Sequence, residues 1–360
     1  MANPQTVKTY NVAIVGTGAI AASNHVPALR AAGDRVKLVA AMDVDATRAQ
    51  EFAAKFEIPQ WFTDVNALLE TAKPDLVVIC TPPATHVDLS IACLEAGAHV
   101  LCEKPLARSI ADFDRLIEAE KRSGKTVSTV FQWRFGSAAQ HYKKLIDSGE
   151  YGKPLVGHCL TLWYRDFDYY AVPWRGKWAT ELGGPTMGHG IHLTDLFLWL
   201  YGDWDEVRAM MGTLDRPIEV EDVSMALVRF SSGAMGSITN SVLSPRQETY
   251  LRLDLQKLTI ELSALYSANN DHWRVNVPNV PQPETNITGG HTAQVAALLD
   301  SLDRGEMPLV TGNEARRIIE FSSSLYKSAI TGTPVQRGSI AAPDPFYYAM
   351  NGQPVETGRG

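Results

Sequence analysis

Asn11-Val12-Ala13-Ile14-Val15-Gly16-Thr17-Gly18-Ala19-Ile20-Ala21 decides the fold. Asn11–Val15 is a short apolar strand, and Gly-x-Gly-x-x-Ala follows it at once. Gly16 permits a tight turn, Gly18 lets backbone approach a pyrophosphate, and Ala21 lets the next helix pack closely on the strand. The free N–H groups and positive end of that helix face the anion. A second strand, Val36–Asp43, ends on an acid. Asp43 stands 22 residues after Ala21, near the ~20-residue separation at which a carboxylate meets ribose hydroxyls. Such a carboxylate repels a 2′-phosphate. Arg48 is expected to face solvent on the next helix, Ala46–Phe56. The expected cofactor is therefore NAD, with NADP the alternative. Pro27 should kink or end the first helix early, because it lacks an N–H.

Downstream, strand and helix signals alternate. Asp75–Cys80 and Ala98–Cys102 are nearly continuous apolar runs, as in strands buried on both faces. Helices are expected over Thr85–Ala96 and from Ser109 to about Gly124, the latter with a loose capping box between Ser109 and Asp112; Thr126–Phe131 is a further strand. Strict alternation implies a doubly wound parallel sheet. Beyond residue 150 the pattern becomes a meander: Leu155–Tyr164, Val207–Gly212, Val223–Phe230, Met235–Val242, Tyr250–Leu255 and Leu258–Leu262. One helix, Ile191–Tyr201, interrupts it, and Thr292–Arg304 and Asn313–Ile330 follow. The expected fold is α/β: a Rossmann dinucleotide-binding domain over residues 1–130, then an α+β domain with a large open, mostly antiparallel sheet over 131–360. The second would bind substrate and build the oligomer.

Composition narrows the function. The 360 residues carry 33 basic against 40 acidic side chains, a net charge of −7, which argues against a nucleic-acid binder. No apolar run reaches the ~18 residues of a membrane span, and Met-Ala-Asn-Pro-Gln shows no secretory pattern. Cys80, Cys93, Cys102 and Cys159 have no C-x-x-C spacing, so buried thiols in a reducing cytoplasm are expected. No His, Cys or carboxylate cluster shows metal-ligand spacing, and no metal is expected.

Glu103-Lys104-Pro105 follows the strand Ala98–Cys102, and ligands of open parallel sheets bind outside the carboxyl ends of strands. A lysine there lies beside the cofactor. Gly190-Ile191-His192 opens an apolar helix after a glycine-rich approach.

At these residues the chain resembles the glucose–fructose oxidoreductase, inositol dehydrogenase and rhizopine-catabolism (Gfo/Idh/MocA) family. The resemblance rests on Ala13–Ile20, Val78–His86, His99–Leu106, and Gly183-Gly184 leading to Gly190-Ile191-His192 and Asp195. It implies a C-terminal sheet whose outer face builds a homodimer or homotetramer. It implies that Lys104 and His192 face the substrate, that the Lys104–Pro105 region touches the nicotinamide, and that the Thr81–His86 loop lines the cofactor cleft. The expected cofactor contacts are Gly16, Gly18, Ala19, Ile20, Asp43, Thr81, Pro82, Pro83, His86, Glu103, Lys104 and Gln132. In one respect the chain departs from the family: many members carry an aspartate four residues before the histidine, where this chain has Gly188, flanked by His189.

The segment from Trp163 to Trp178 is rich in aromatic and charged residues, suited to stacking on sugar rings and holding hydroxyls; Trp174, Arg175 and His189 are the expected substrate contacts. The expected reaction is reversible hydride transfer from a secondary alcohol of a sugar, sugar derivative or cyclitol to NAD. His192 takes the hydroxyl proton, and Lys104 stabilises the developing charge on oxygen. Two other readings use the same fold: an NAD-dependent glycosidase working through transient oxidation, and a non-enzymatic NAD-binding regulator.

Overall fold

The computed structural model describes residues 8–353. The chain forms two compact units. The first comprises Met1–Leu106, Phe113–Val130 and His291–Ala315; the second comprises Ala107–Asp112, Phe131–Gly290 and Arg316–Gly360. The helix His291–Arg304, far along the sequence, thus belongs with the N-terminal fold.

The first unit is built on β1 (Tyr10–Val15), β2 (Val36–Met42), β3 (Gln60–Phe62), β4 (Leu76–Ile79), β5 (His99–Cys102) and β6 (Val127–Thr129). They form one sheet in the order β3-β2-β1-β4-β5-β6, and every pairing is parallel. This is the expected doubly wound sheet. All of β4 is buried, which is why its sequence reads as an unbroken apolar run. Val12, Ile14, Leu76, Val78 and Leu101 share a core with Val295, Leu298 and Leu299 of the late helix. Asp112 N–H donates to Ser109 Oγ at 3.1 Å, so the expected cap is present.

The expectation for Pro27 fails. The helix runs through it to Ala31, and a wide π-turn over Ala21–His25 precedes it. Pro27 stands in the first turn of the regular helix, where its missing N–H removes no required bond.

The second unit carries β7 (Pro154–Tyr164), β8 (Trp204–Gly212), β9 (Val223–Phe230), β10 (Met235–Ser241), β11 (Leu243–Leu255), β12 (Thr259–Ala264), β13 (Trp273–Val275) and β14 (Val335–Gln336). Their order is β13-β12-β11-β7-β10-β9-β8-β14. The β7–β10 pair is parallel and the others are antiparallel. Burial alternates strictly along β9, the mark of a sheet with one covered face. The helix Ile191–Tyr201 is buried at every residue, which accounts for its mainly apolar character; His192, Thr194 and Asp195 are its polar members.

Candidate active site

The glycine loop has the geometry that its sequence requires. Gly16 has φ +92°, and a Cβ on it would lie 2.7 Å from the Cys80 carbonyl carbon. Only glycine fits both constraints. A Cβ on Gly18 would meet no protein atom within 4 Å, so that side of the loop is open for a ligand. Helix begins at Ala19, which is exposed, and Ile20 is half-buried. Asp43 follows β2 and is 9% exposed. Its Oδ2 accepts from Thr17 N at 3.0 Å and Thr17 Oγ1 at 2.9 Å; its Oδ1 accepts from Asp45 N at 3.1 Å. A carboxylate takes about four hydrogen bonds, so capacity remains for a ribose hydroxyl. The open glycine, the helix start and this acid fit a dinucleotide. Val44, next to Asp43, is 83% exposed. Arg48 is exposed and pairs with Asp45, as its expected solvent-facing position requires.

The loop after β4 is held by Thr85 Oγ1, which donates to Thr81 Oγ1 and Pro82 O. Thr81 and Pro83 are half-buried and Pro82 is exposed. His86 is fully buried, with its ring nitrogens 2.8 Å from Pro105 O and 2.8 Å from Thr81 O. Burial pushes its pKa down, against the hydrogen bonds that raise it. Both ring nitrogens lie against main-chain carbonyls, so His86 braces the loop against the Lys-Pro element.

Lys104, half-buried, follows β5. The Glu103 carboxylate is engaged with other groups of the protein. Its Oε1 lies 2.9 Å from His25 Nε2 and 3.3 Å from His291 Nε2, and its Oε2 accepts from Lys104 N at 3.2 Å. Burial opposes the charge, but hydrogen bonds from the two histidines outweigh it and hold the carboxyl well below its usual range. The spacing of these three residues hides the cluster in the sequence; the fold assembles it.

In the second unit a wide turn over Thr186–Gly190 leads into the His192 helix. His192 and His189 are both buried. Tyr169 OH lies 3.2 Å from His189 Nε2. The Arg175 guanidinium sits over Tyr169 at 3.9 Å and over Trp174 at 4.3 Å. Its Nη1 donates to Glu181 Oε1 at 3.1 Å, and Gly176 N donates to Glu181 Oε2 at 2.6 Å. The structure therefore gathers Trp174, Arg175 and His189 around one cluster with Tyr169 and Glu181. A Cβ on Gly188, one helical turn before His192, would have Glu181 Oε1 as its neighbour at 3.7 Å. The acid beside that position thus comes from another segment of chain. Gln132 is 2% exposed, in the turn Gln132–Phe135.

Residues 10–131 match the model of the oxidoreductase family with an NAD-binding Rossmann fold, and residues 139–261 match the Gfo/Idh/MocA C-terminal domain. The chain belongs to the Gfo/Idh/MocA oxidoreductase family. Among curated members, it is 31% identical to myo-inositol 2-dehydrogenase of Thermotoga maritima, over 64% of this chain and 68% of that protein. It is 24% identical to D-glucoside 3-dehydrogenase of Escherichia coli, over 93% of this chain and all of that one. Among solved structures, the WlbA dehydrogenase of Bordetella pertussis, crystallised with NADH and UDP-GlcNAcA, superposes with a TM-score of 0.83 at 29% identity, covering 91% of this chain and 99% of that one. A levoglucosan dehydrogenase shares the fold at a TM-score of 0.80 and 21% identity. Membership makes the chain an NAD-dependent oxidoreductase. Among the described residues, no helix is long and apolar enough to cross a membrane, and the four cysteines are buried and free.

Proposed function

We propose that this chain oxidises a secondary hydroxyl of a sugar, sugar derivative or cyclitol. The observation that carries this reading is the presence, in one chain, of an open dinucleotide loop and of the Arg175, Tyr169, His189 and Glu181 cluster one turn from His192. Charged and aromatic groups gathered in this way suit a polyhydroxylated ring better than an apolar substrate. The named substrates of the relatives, inositol and a glucoside, are of this class.

Bound NAD supplies the acceptor for the hydride. The protein must orient the alcohol and remove its proton. In this reading His192 takes the proton. Lys104 hydrogen-bonds the same oxygen and stabilises charge that develops there. Trp174, Arg175 and His189 hold neighbouring hydroxyls. Asp43, holding the ribose hydroxyls, selects NAD over NADP. In this reading the residues before about 130 chiefly hold the cofactor and those after it chiefly hold the substrate, with Lys104 serving the substrate from the first segment. The glycosidase and regulator readings have no observation in their favour.

Met210, Met225, Leu227 and Met235, on β8, β9 and β10, are 57–78% exposed on one face of the second sheet. A second copy covering this face would remove a large apolar patch from water, so we assign a homodimer or homotetramer. The buried thiols suit a reducing cytoplasm.

The test is cofactor reduction followed by absorbance, with NAD and NADP offered separately against myo-inositol, scyllo-inositol, glucosides, anhydrosugars and free monosaccharides. Turnover on one of these classes with NAD is expected, and Lys104→Ala should abolish it while NADH still binds. Turnover of Lys104→Ala within a few fold of the parent would end the assignment of Lys104.

A further inference from the structure

The His25–Glu103–His291 cluster has no part in the chemistry above. Its members come from three places: the turn after the glycine loop, the end of β5 and the first residue of the helix His291–Arg304. All three are buried, at 0%, 8% and 8% exposure. A carboxylate can only accept hydrogen bonds, so each imidazole donates from Nε2. His291 Nδ1 is then free to accept from Asn24 Nδ2, 3.3 Å away. The two rings meet edge to face, with centroids 4.8 Å apart.

We propose that His25 and His291 are positioning residues that set Lys104 through Glu103. Glu103 divides its oxygens: Oε1 takes both imidazoles, and Oε2 takes the Lys104 main-chain N–H. The carboxylate thereby links the helix that follows the glycine loop to the peptide plane from which the Lys104 side chain springs. Burying an ion is a poor route to stability, since apolar residues of similar volume often serve as well or better. Such a network gives direction instead: three charge-assisted hydrogen bonds fix one peptide group at a defined angle. His86, gripping Pro105 O, fixes the other side of Lys104. The inference rests on the proposed role of Lys104.

The same three side chains also place their donor atoms within 4.8 Å of one another, a set that a zinc ion accepts. The contacts of 2.9 and 3.3 Å to a single carboxylate oxygen match hydrogen bonds, which need the Nε2 protons that a bound metal would displace. The test separates these roles.

The variants are His25→Ala, His25→Gln, His291→Ala, His291→Gln, Glu103→Gln and Lys104→Ala, each checked for folding by thermal melting. A glutamine amide reaches the Nε2 position and restores a donor to Glu103. The first readout needs no substrate: reductive methylation of the full-length protein by formaldehyde and borohydride, with labelling of Lys104 followed by peptide mass spectrometry. The alanine variants should change the Lys104 labelling rate by roughly threefold or more and leave the other lysines unchanged; the glutamine variants should return it most of the way. The second readout is turnover of myo-inositol or of whichever panel alcohol the parent oxidises. There kcat should fall roughly tenfold or more while KM for NAD stays within about threefold. Folded alanine variants with unchanged Lys104 labelling would overturn the inference. So would activity lost to a chelator and restored by zinc. If Lys104→Ala remains active, the functional reading falls, and labelling still decides whether the cluster positions that lysine.

Discussion

Arg134 and Asp195 form a forked ion pair sealed from water. Nε lies 2.7 Å from one carboxylate oxygen and Nη2 2.5 Å from the other, at side-chain exposures of 1% and 2%. Asp195 is one helical turn beyond His192, and Arg134 stands in the turn Gln132–Phe135. The pair locks the His192 helix to that turn. Removing one partner strands a buried charge, so Arg134→Met should cost about 3–5 kcal/mol in denaturant unfolding. Arg134→Met combined with Asp195→Leu should recover most of that loss, because no charge is left without its partner. A single variant within about 1 kcal/mol of the parent would show that the site tolerates the charge.

Glu120 gives a pH signature of the opposite sign to most carboxylates. Burial raises its pKa to about 7, against a hydrogen bond from Val127 N at 2.6 Å. The folded protein therefore keeps a proton that the unfolded chain releases above about pH 4. The contribution is complete below that point and is lost as pH rises through 7. Glu120→Gln keeps the acceptor for Val127 N and carries no charge. At pH 8 it should be more stable than the parent by about 1–2 kcal/mol, a figure reduced for partial exposure, and at pH 5 the difference should shrink towards zero. Denaturant midpoints at the two pH values decide this. Equal gains at both would assign the effect to packing instead of charge.

The first sheet was legible because β1, β4 and β5 at its centre are buried almost throughout and write that burial directly into their composition. The helix Ile191–Tyr201 was legible for the same reason, and its bounds agree to the residue. β3, with two exposed residues of three, leaves no such trace. Neither does the assignment of His291–Arg304 to the first unit, which depends on a return of the chain that no local pattern encodes. In the candidate site, the tight turn at Gly16 was readable because its main-chain geometry admits only glycine. Proximity in sequence says nothing of where a side chain turns, and the polar atoms of His86 and Glu103 lie against other protein groups. Tyr169 and Glu181 were missed as partners of His189 and Arg175, since their only signal was membership of a long polar and aromatic loop.

Gly188 leaves room for a methyl group beside Glu181. An alanine Cβ there would sit in ordinary contact with Glu181 Oε1, at 3.7 Å, and alanine favours helix over glycine by about 1 kcal/mol. Gly188→Ala should therefore fold with an unchanged or slightly raised melting temperature. If the space beside Glu181 receives a substrate hydroxyl, the same variant should raise KM for the sugar or cyclitol by roughly tenfold, the cost of about 1.4 kcal/mol, with NADH affinity unchanged. An unchanged KM would place the substrate away from Glu181.

Gly16 and Gly18 are two glycines of one motif with different roles, and alanine should separate them. At Gly16 the added Cβ would press to 2.7 Å on the Cys80 carbonyl carbon and 2.8 Å on the Thr81 nitrogen, from a residue at φ +92°. Main chain cannot yield as a flexible side chain does. Gly16→Ala should thus destabilise the unit by about 2–4 kcal/mol before any cofactor is added, seen as a lower melting temperature. Gly18→Ala meets no protein atom within 4 Å, so its melting temperature should match the parent within about 2 °C, no more than the shift that ~1 kcal/mol produces. Its methyl group occupies the side from which a pyrophosphate approaches, and NADH affinity, read by fluorescence titration, should weaken roughly tenfold or more. Full affinity in Gly18→Ala would mean that the dinucleotide does not pass over this loop.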